Sequence, residues 1–142
     1  MANTVFTSAR SGWLAGEIDL DTATIKAALV RGYTPNAAHV FVSDVTAASG
    51  VFNGSGVALA SKTITAGVFD AADTDITTTA SAVNHGVLLY QSSAVTGGAD
   101  VAASAQRLIA WFDTGTGLPS QPGTGTTTIA WSNGADKILS LS

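Results

Sequence analysis

The spacing of apolar side chains changes along this chain, and each change marks an element. Phe6, Ala9, Trp13 and Leu14 follow one another at separations of three, four and one, which lines them along one face of a helix. With Asn3 as N-cap and Gly12 or Gly16 at the stop, the pattern predicts a short amphipathic helix over Asn3 to Leu14. Ile25, Ala27 and Leu29 then alternate with their neighbours up to Gly32, as in a half-buried strand. Thr34-Pro35-Asn36 reads as a helix start, with Pro35 suited to the first helical position. Ala38, Phe41, Val42 and Val45 continue at helical spacing and predict a second short helix from Pro35 to Val45.

From Ala47 onward the period falls to two. Ile64, Ala66 and Val68 alternate with Thr63, Thr65 and Gly67, and the threonines around Thr77 favour extended backbone through β-branching. Val87 to Tyr90, Leu108 to Phe112 and Thr126 to Trp131 are almost continuously apolar or β-branched and read as the centre of a sheet. Asn133-Gly134 separates the last of them from Lys137 to Leu141, which predicts a C-terminal β-hairpin over 126–142. Thr96 to Asp100 and Gly115 to Gly125, the latter with Pro119 and Pro122, carry too many breakers for regular structure. No fixed-period repeat or composition shift divides the chain. The expectation is one mainly β domain over 1–142, a β-sandwich or jelly-roll-like fold with one or two short helices in the N-terminal third and an N-terminal arm or helix over 1–16.

Composition narrows the function. The 142 residues suit a single core, 46% of them are hydrophobic, and only 7% are aromatic, so the core is built mostly from small side chains. Charged residues make up 11%, about half the usual share of roughly 25%, which leaves the surface to Thr, Ser, Asn and Gly. Mean hydropathy is +0.32, yet no stretch approaches the roughly 18–20 apolar residues of a membrane-spanning helix, so the chain reads as soluble. The N-terminus carries neither a basic leader nor an apolar segment of the kind that directs secretion. A net charge of −4 with scattered basic residues speaks against a nucleic-acid partner. Without cysteine there is no disulfide, thiolate nucleophile or cysteine-ligated metal.

A search for chemistry yields no nucleophile elbow, phosphate loop or zinc-protease motif, and assigns no catalytic, cofactor-binding or metal residue. His39, expected in the second helix, and His85, ahead of a strand, read as surface or hydrogen-bonding histidines. Asp70, Asp73 and Asp75 lie close enough in sequence to offer oxygen ligands to a hard cation, but they lack the glycine and distal glutamate of an EF-hand loop. They read more simply as an acidic turn whose side chains bond to nearby backbone. Glu17, Asp19 and Asp21 alternate as on a charged strand edge. Trp111, Trp131, Tyr33 and Tyr90 could together form a sugar-stacking platform, although the tryptophans sit within apolar strand patterns where core packing is the ordinary role.

The order of segments resembles small virion proteins of tailed bacteriophages. The likeness runs from Ser11-Gly12-Trp13-Leu14-Ala15-Gly16-Glu17-Ile18-Asp19-Leu20 through Ile25 to Val30 and Tyr33-Thr34-Pro35. It continues in Lys62-Thr63-Ile64-Thr65, in Gly67 to Ala71, in Leu108 to Gly115, and in Ile129-Ala130-Trp131 with Asn133-Gly134. It is one of phrasing and order over nearly the whole chain. It implies a non-enzymatic structural component without cofactor, assembled in the host cytoplasm and located in the virion. The expected role is a head decoration or cementing protein that binds the major capsid protein and itself, as a homo-oligomer or trimer. A minor tail or head-tail protein and a carbohydrate-binding module are the alternatives. The expected contact residues are Asn3, Val5, Phe6 and Arg10 in an exposed N-terminal segment, and Gly115, Leu118, Pro119 and Pro122 in the late loop.

Overall fold

The computed structural model describes residues 3–114, 118, 124–135 and 137–141. In chain order the elements are β1 (Thr4–Val5), α1 (Thr7–Ala15), β2 (Thr24–Arg31), α2 (Val42–Ala47), β3 (Val51–Phe52), β4 (Val57–Ala58), β5 (Thr63–Thr65), β6 (Val68–Asp70), β7 (Thr74–Thr78), β8 (Gly86–Ser93), β9 (Arg107–Phe112), β10 (Gly125–Ile129) and β11 (Leu139–Ser140). The chain is mainly β, with several antiparallel sheets and two helices, as in a sandwich-like fold.

The largest sheet runs β1-β9-β8-β2-β3, and β4 shares with β3 the outer side of β2. Every residue of β8 is buried, as the unbroken apolar run in its first half predicts for a strand covered on both faces. Its register is Ala27↔Leu89 against β2 and Leu88↔Trp111 against β9. Phe6, Ile25, Leu88, Leu89, Leu108, Ile109 and Trp111 are almost wholly buried around this centre. Burying each of these large side chains contributes roughly 1.5–3 kcal/mol. β7 lies against β2 and β4, with Thr74, Ile76 and Thr78 inward, and pairs with β10 in a two-stranded sheet. β11-β6-β5 form a third sheet.

Several local expectations give way to tertiary pairing. Asn3 does not cap a helix: Thr4 and Val5 pair with Trp111 and Ala110, and α1 begins only at Thr7, ending at Gly16 in the left-handed region. Pro35 starts no helix either. Leu108 donates its N–H to the Val40 carbonyl and Phe41 bridges to Arg107, so β9 draws this segment into extended form, and His39 precedes α2. The helix begins at Val42, where the Asp44 carboxylate three residues past Phe41 accepts the N–H groups of Val40 and Phe41 at 2.8 and 2.9 Å.

The C-terminal hairpin is not formed. β10 pairs with β7 and β11 with β6, because the side chains after Gly125 find partners on those strands. Thr128 donates to Asp75, the Trp131 N–H to Asp73, and Trp131 Nε1 to the Thr74 hydroxyl at 3.1 Å. β10 is thus peripheral rather than central, and Trp131 is half-buried, stacked edge-on against Phe112. The alternation through Ile64, Ala66 and Val68 belongs to a tight hairpin and not to one strand. Ala66 and Gly67 have φ of 52° and 79°, the combination that a two-residue turn of matching twist requires.

Candidate interaction surface

The row Ile64, Phe69 and Leu139 crosses the three-stranded sheet in register, from the β5 edge to β11. Phe69 and Leu139 are buried, while Ile64 at the edge is 50% exposed. Opposite this row stand Trp13 at the end of α1 and Ile18 and Leu20 in the connection to β2, and between the two walls lies a groove of about 390 Å³. Leu141 also lines it and is 68% exposed. Leu14, the neighbour of Trp13, is 93% exposed. Ile64 and Leu141 thus leave large apolar side chains open to solvent around one concavity, the signature of a contact surface rather than of scattered surface residues.

Local structure holds the groove walls. Gln91 at the end of β8 accepts the Asp19 N–H and donates to the Glu17 carbonyl, which pins the α1–β2 connection to the central sheet. Asp19 is not on a charged strand edge. Its carboxylate closes a turn by accepting the N–H groups of Asp21 and Thr22 and the Thr22 hydroxyl. The hydroxyl and backbone bonds of Thr22, with the Asp21 N–H and nearby Lys62, hold its carboxyl below the ordinary value. Burial lowers Lys62, against the opposing pull of Asp19 and Asp21, and its ammonium donates to the Ala23 carbonyl. Glu17 pairs with Arg107 at 2.6 Å, joining the same connection to β9.

The N-terminal segment expected to be an exposed arm is built into the fold. Phe6 is completely buried and offers no contact surface, while Val5 is half-buried in its pairing with Ala110. The sequence hid this because an apolar residue near a terminus suits an arm as well as a core strand. Asn3 and Arg10 are exposed. Asn3 Oδ1 accepts from the backbone N–H groups of Asp113 and Thr114 at 3.2 Å and from the Thr114 hydroxyl at 2.9 Å, which ties the N-terminus to the stretch leading into the late loop. Leu118 packs half-buried against the core. Gly115, Pro119 and Pro122 lie outside the described residues.

The other candidates are occupied in structural bonds. Asp70 pairs with Lys137 at 3.5 Å, Asp73 accepts the Trp131 N–H, and Asp75 accepts the Thr128 hydroxyl. These acids therefore fasten the C-terminal strands instead of closing a local turn, and no group of three potential metal ligands occurs among the described residues. His85 Nδ1 accepts the Gly32 N–H, and His39 Nδ1 shares a hydrogen bond with the Tyr33 hydroxyl at 2.9 Å. Ser8 lies beside His39, but its hydroxyl donates to the His39 carbonyl and does not address the ring. Trp111, Tyr33 and Tyr90 are 0%, 4% and 5% exposed, which removes the sugar-stacking platform in the form the sequence suggested. Burial, with Asp100 nearby, pushes the Tyr90 hydroxyl up to about 12.

The groove residues escaped the sequence reading. They come from separate elements, and the sequence signals for them, the helical face holding Trp13, the alternation holding Ile64 and the last strand holding Leu139 and Leu141, did not show that these residues meet. No helix among the described residues is long and apolar enough to cross a membrane. No family model, curated protein sequence or solved structure matches this chain.

Proposed function

We propose that this chain is a non-catalytic structural protein of a tailed-phage virion, seated on the outer surface of the head, where it bridges major capsid protein subunits and associates with itself. Small domains that bind only the assembled shell stabilise it by mass action. The resemblance in segment order supports this reading. On the structural side it rests on one observation: Asn3 joins the two stretches assigned to contact, by bonding to Asp113 and Thr114 at the entrance of the late loop. Asn3 and the Asp113-Thr114 stretch are thereby held together, and Asn3 and Arg10 are the exposed members of the N-terminal contact set.

The test is cryo-electron microscopy of particles that carry this protein, together with readdition of the purified chain to particles that lack it. The expected result is density on the outer face of the head and raised resistance of the heads to heat after readdition. Density confined to the tail or head-tail junction overturns the decoration role, and absence of the protein from purified particles overturns the virion reading altogether.

A further inference from the structure

We infer that β5 is a self-pairing edge, through which two copies of this chain join into one continuous sheet across a two-fold axis at Ile64. The inference does not depend on a place in a virion. β5 ends its sheet, and all three of its residues are exposed. Edge strands are normally protected by charge, proline or a bulge. β5 is Thr63-Ile64-Thr65 and carries none of these.

Register decides which groups face outward. β5 and β6 are joined by the two-residue turn at Ala66-Gly67, with Thr65↔Val68 as the closing pair. In such a hairpin the closing pair exchanges both backbone bonds, and hydrogen-bonded and non-bonded pairs then alternate. Ile64, opposite Phe69, accordingly turns its N–H and C=O to the free edge. A donor and an acceptor on one residue at the centre of the strand satisfy one another when two copies meet antiparallel about that residue. Two reciprocal bonds form between the Ile64 backbones.

The side chains match under the same operation. The strand reads alike in both directions, so Thr63 falls opposite Thr65 of the second copy and Ile64 opposite Ile64, both favourable cross-strand combinations. Opposed residues share a sheet face, and the apolar row then runs Leu139-Phe69-Ile64 in one copy and back through the same residues in the other. This covers the half-exposed Ile64 and brings the two grooves side by side. An unrelated strand could satisfy the backbone, but a second copy also continues the apolar row without interruption.

Three residues a side bury much less than the roughly 1,200 Å² at the low end of stable interfaces, so the pairing is weak in free solution and favoured where copies are concentrated. An isologous contact closes at two copies. It therefore cannot build a trimer, and in a larger array it joins neighbouring groups.

The test is sedimentation equilibrium of the full chain from low micromolar to near-millimolar concentration. Wild type is expected to shift from monomer to dimer. Ile64→Lys sets two like charges on the axis, and Ile64→Pro deletes the outward N–H that no bond among the described residues uses. Both are expected to remain monomeric with an unchanged circular dichroism spectrum, and if the proline variant fails to fold the lysine variant decides. Because the native chain has no cysteine, Ile64→Cys treated with a short bis-maleimide is expected to give a covalent dimer, whereas Val95→Cys, at a position 66% exposed elsewhere, is not. A wild type that is monomeric throughout, or variants that dimerise as it does, overturns the inference.

Discussion

The side-chain amide of Asn53 donates to Oδ1 of Asn84 across 3.0 Å, with the two residues 1% and 0% exposed. Asn53 also donates to the Ala80 carbonyl and accepts the N–H groups of Thr79 and Ala80, so one side chain holds the first residues of the bend after β7. Leaving buried donors and acceptors unpaired costs about 1–3 kcal/mol per group. Asn53→Ala is expected to lower stability by about 3 kcal/mol in urea denaturation. Asn133→Ala, at an exposed position, should change it by less than about 0.5 kcal/mol.

Phe6 separates a structural N-terminus from a free arm. Its ring is fully buried, and its N–H donates to the Ile109 carbonyl. Phe6→Ala is expected to cost about 3–5 kcal/mol through lost burial and the cavity left behind. Arg10→Ala, on the exposed side of α1, is expected to leave thermal denaturation nearly unchanged and, under the proposed decoration role, to weaken attachment to the particle. A small effect of Phe6→Ala on stability would restore the arm.

Two glycines with similar φ are expected to respond differently to alanine. Gly54, at +89°, has the Thr77 carbonyl oxygen 2.0 Å from where a Cβ would stand, whereas Gly67, at +79°, has nothing within 4 Å. Gly67→Ala therefore meets the backbone strain alone, about 1 kcal/mol. Gly54→Ala adds displacement of β7 and is expected to cost about 3 kcal/mol or more. Chemical denaturation of both variants checks the contrast.

The acid limb of stability has named contributors. The N–H groups of Phe41 and Val40, with His39 nearby, hold the Asp44 carboxyl below its ordinary value of 3.8. Asp100 is lowered first by its bond to Lys26, which lies 2.6 Å away. A carboxyl whose folded value is depressed stabilises fully above its unfolded value, and the contribution is lost as pH falls through the folded one. Melting temperature is expected to drop below about pH 4. Asp44→Asn should lower it at neutral pH and flatten that acid limb, as scans between neutral and strongly acid pH would show.

The apolar pattern of this chain determined by itself that it is mainly β, where the long buried strands lie, and that a helix stands near each end of the first third. Continuous runs such as Leu108 to Phe112 leave few choices, because burial on both faces dominates every local preference. Short elements were decided otherwise. Thr4-Val5, Pro35 to Phe41 and Thr126 to Trp131 each carry a local signal for helix or hairpin worth about 1 kcal/mol, and a partner strand outweighs it. The interaction surface belongs wholly to the second kind. Ile64, Phe69 and Leu139 become one row only when β11 returns to β6, and Trp13 faces them across a connection that Gln91 and Arg107 tie to the central sheet. Sequence spacing carries the period of a strand but not the identity of the strand beside it, since that choice is settled by contacts between residues far apart in the chain.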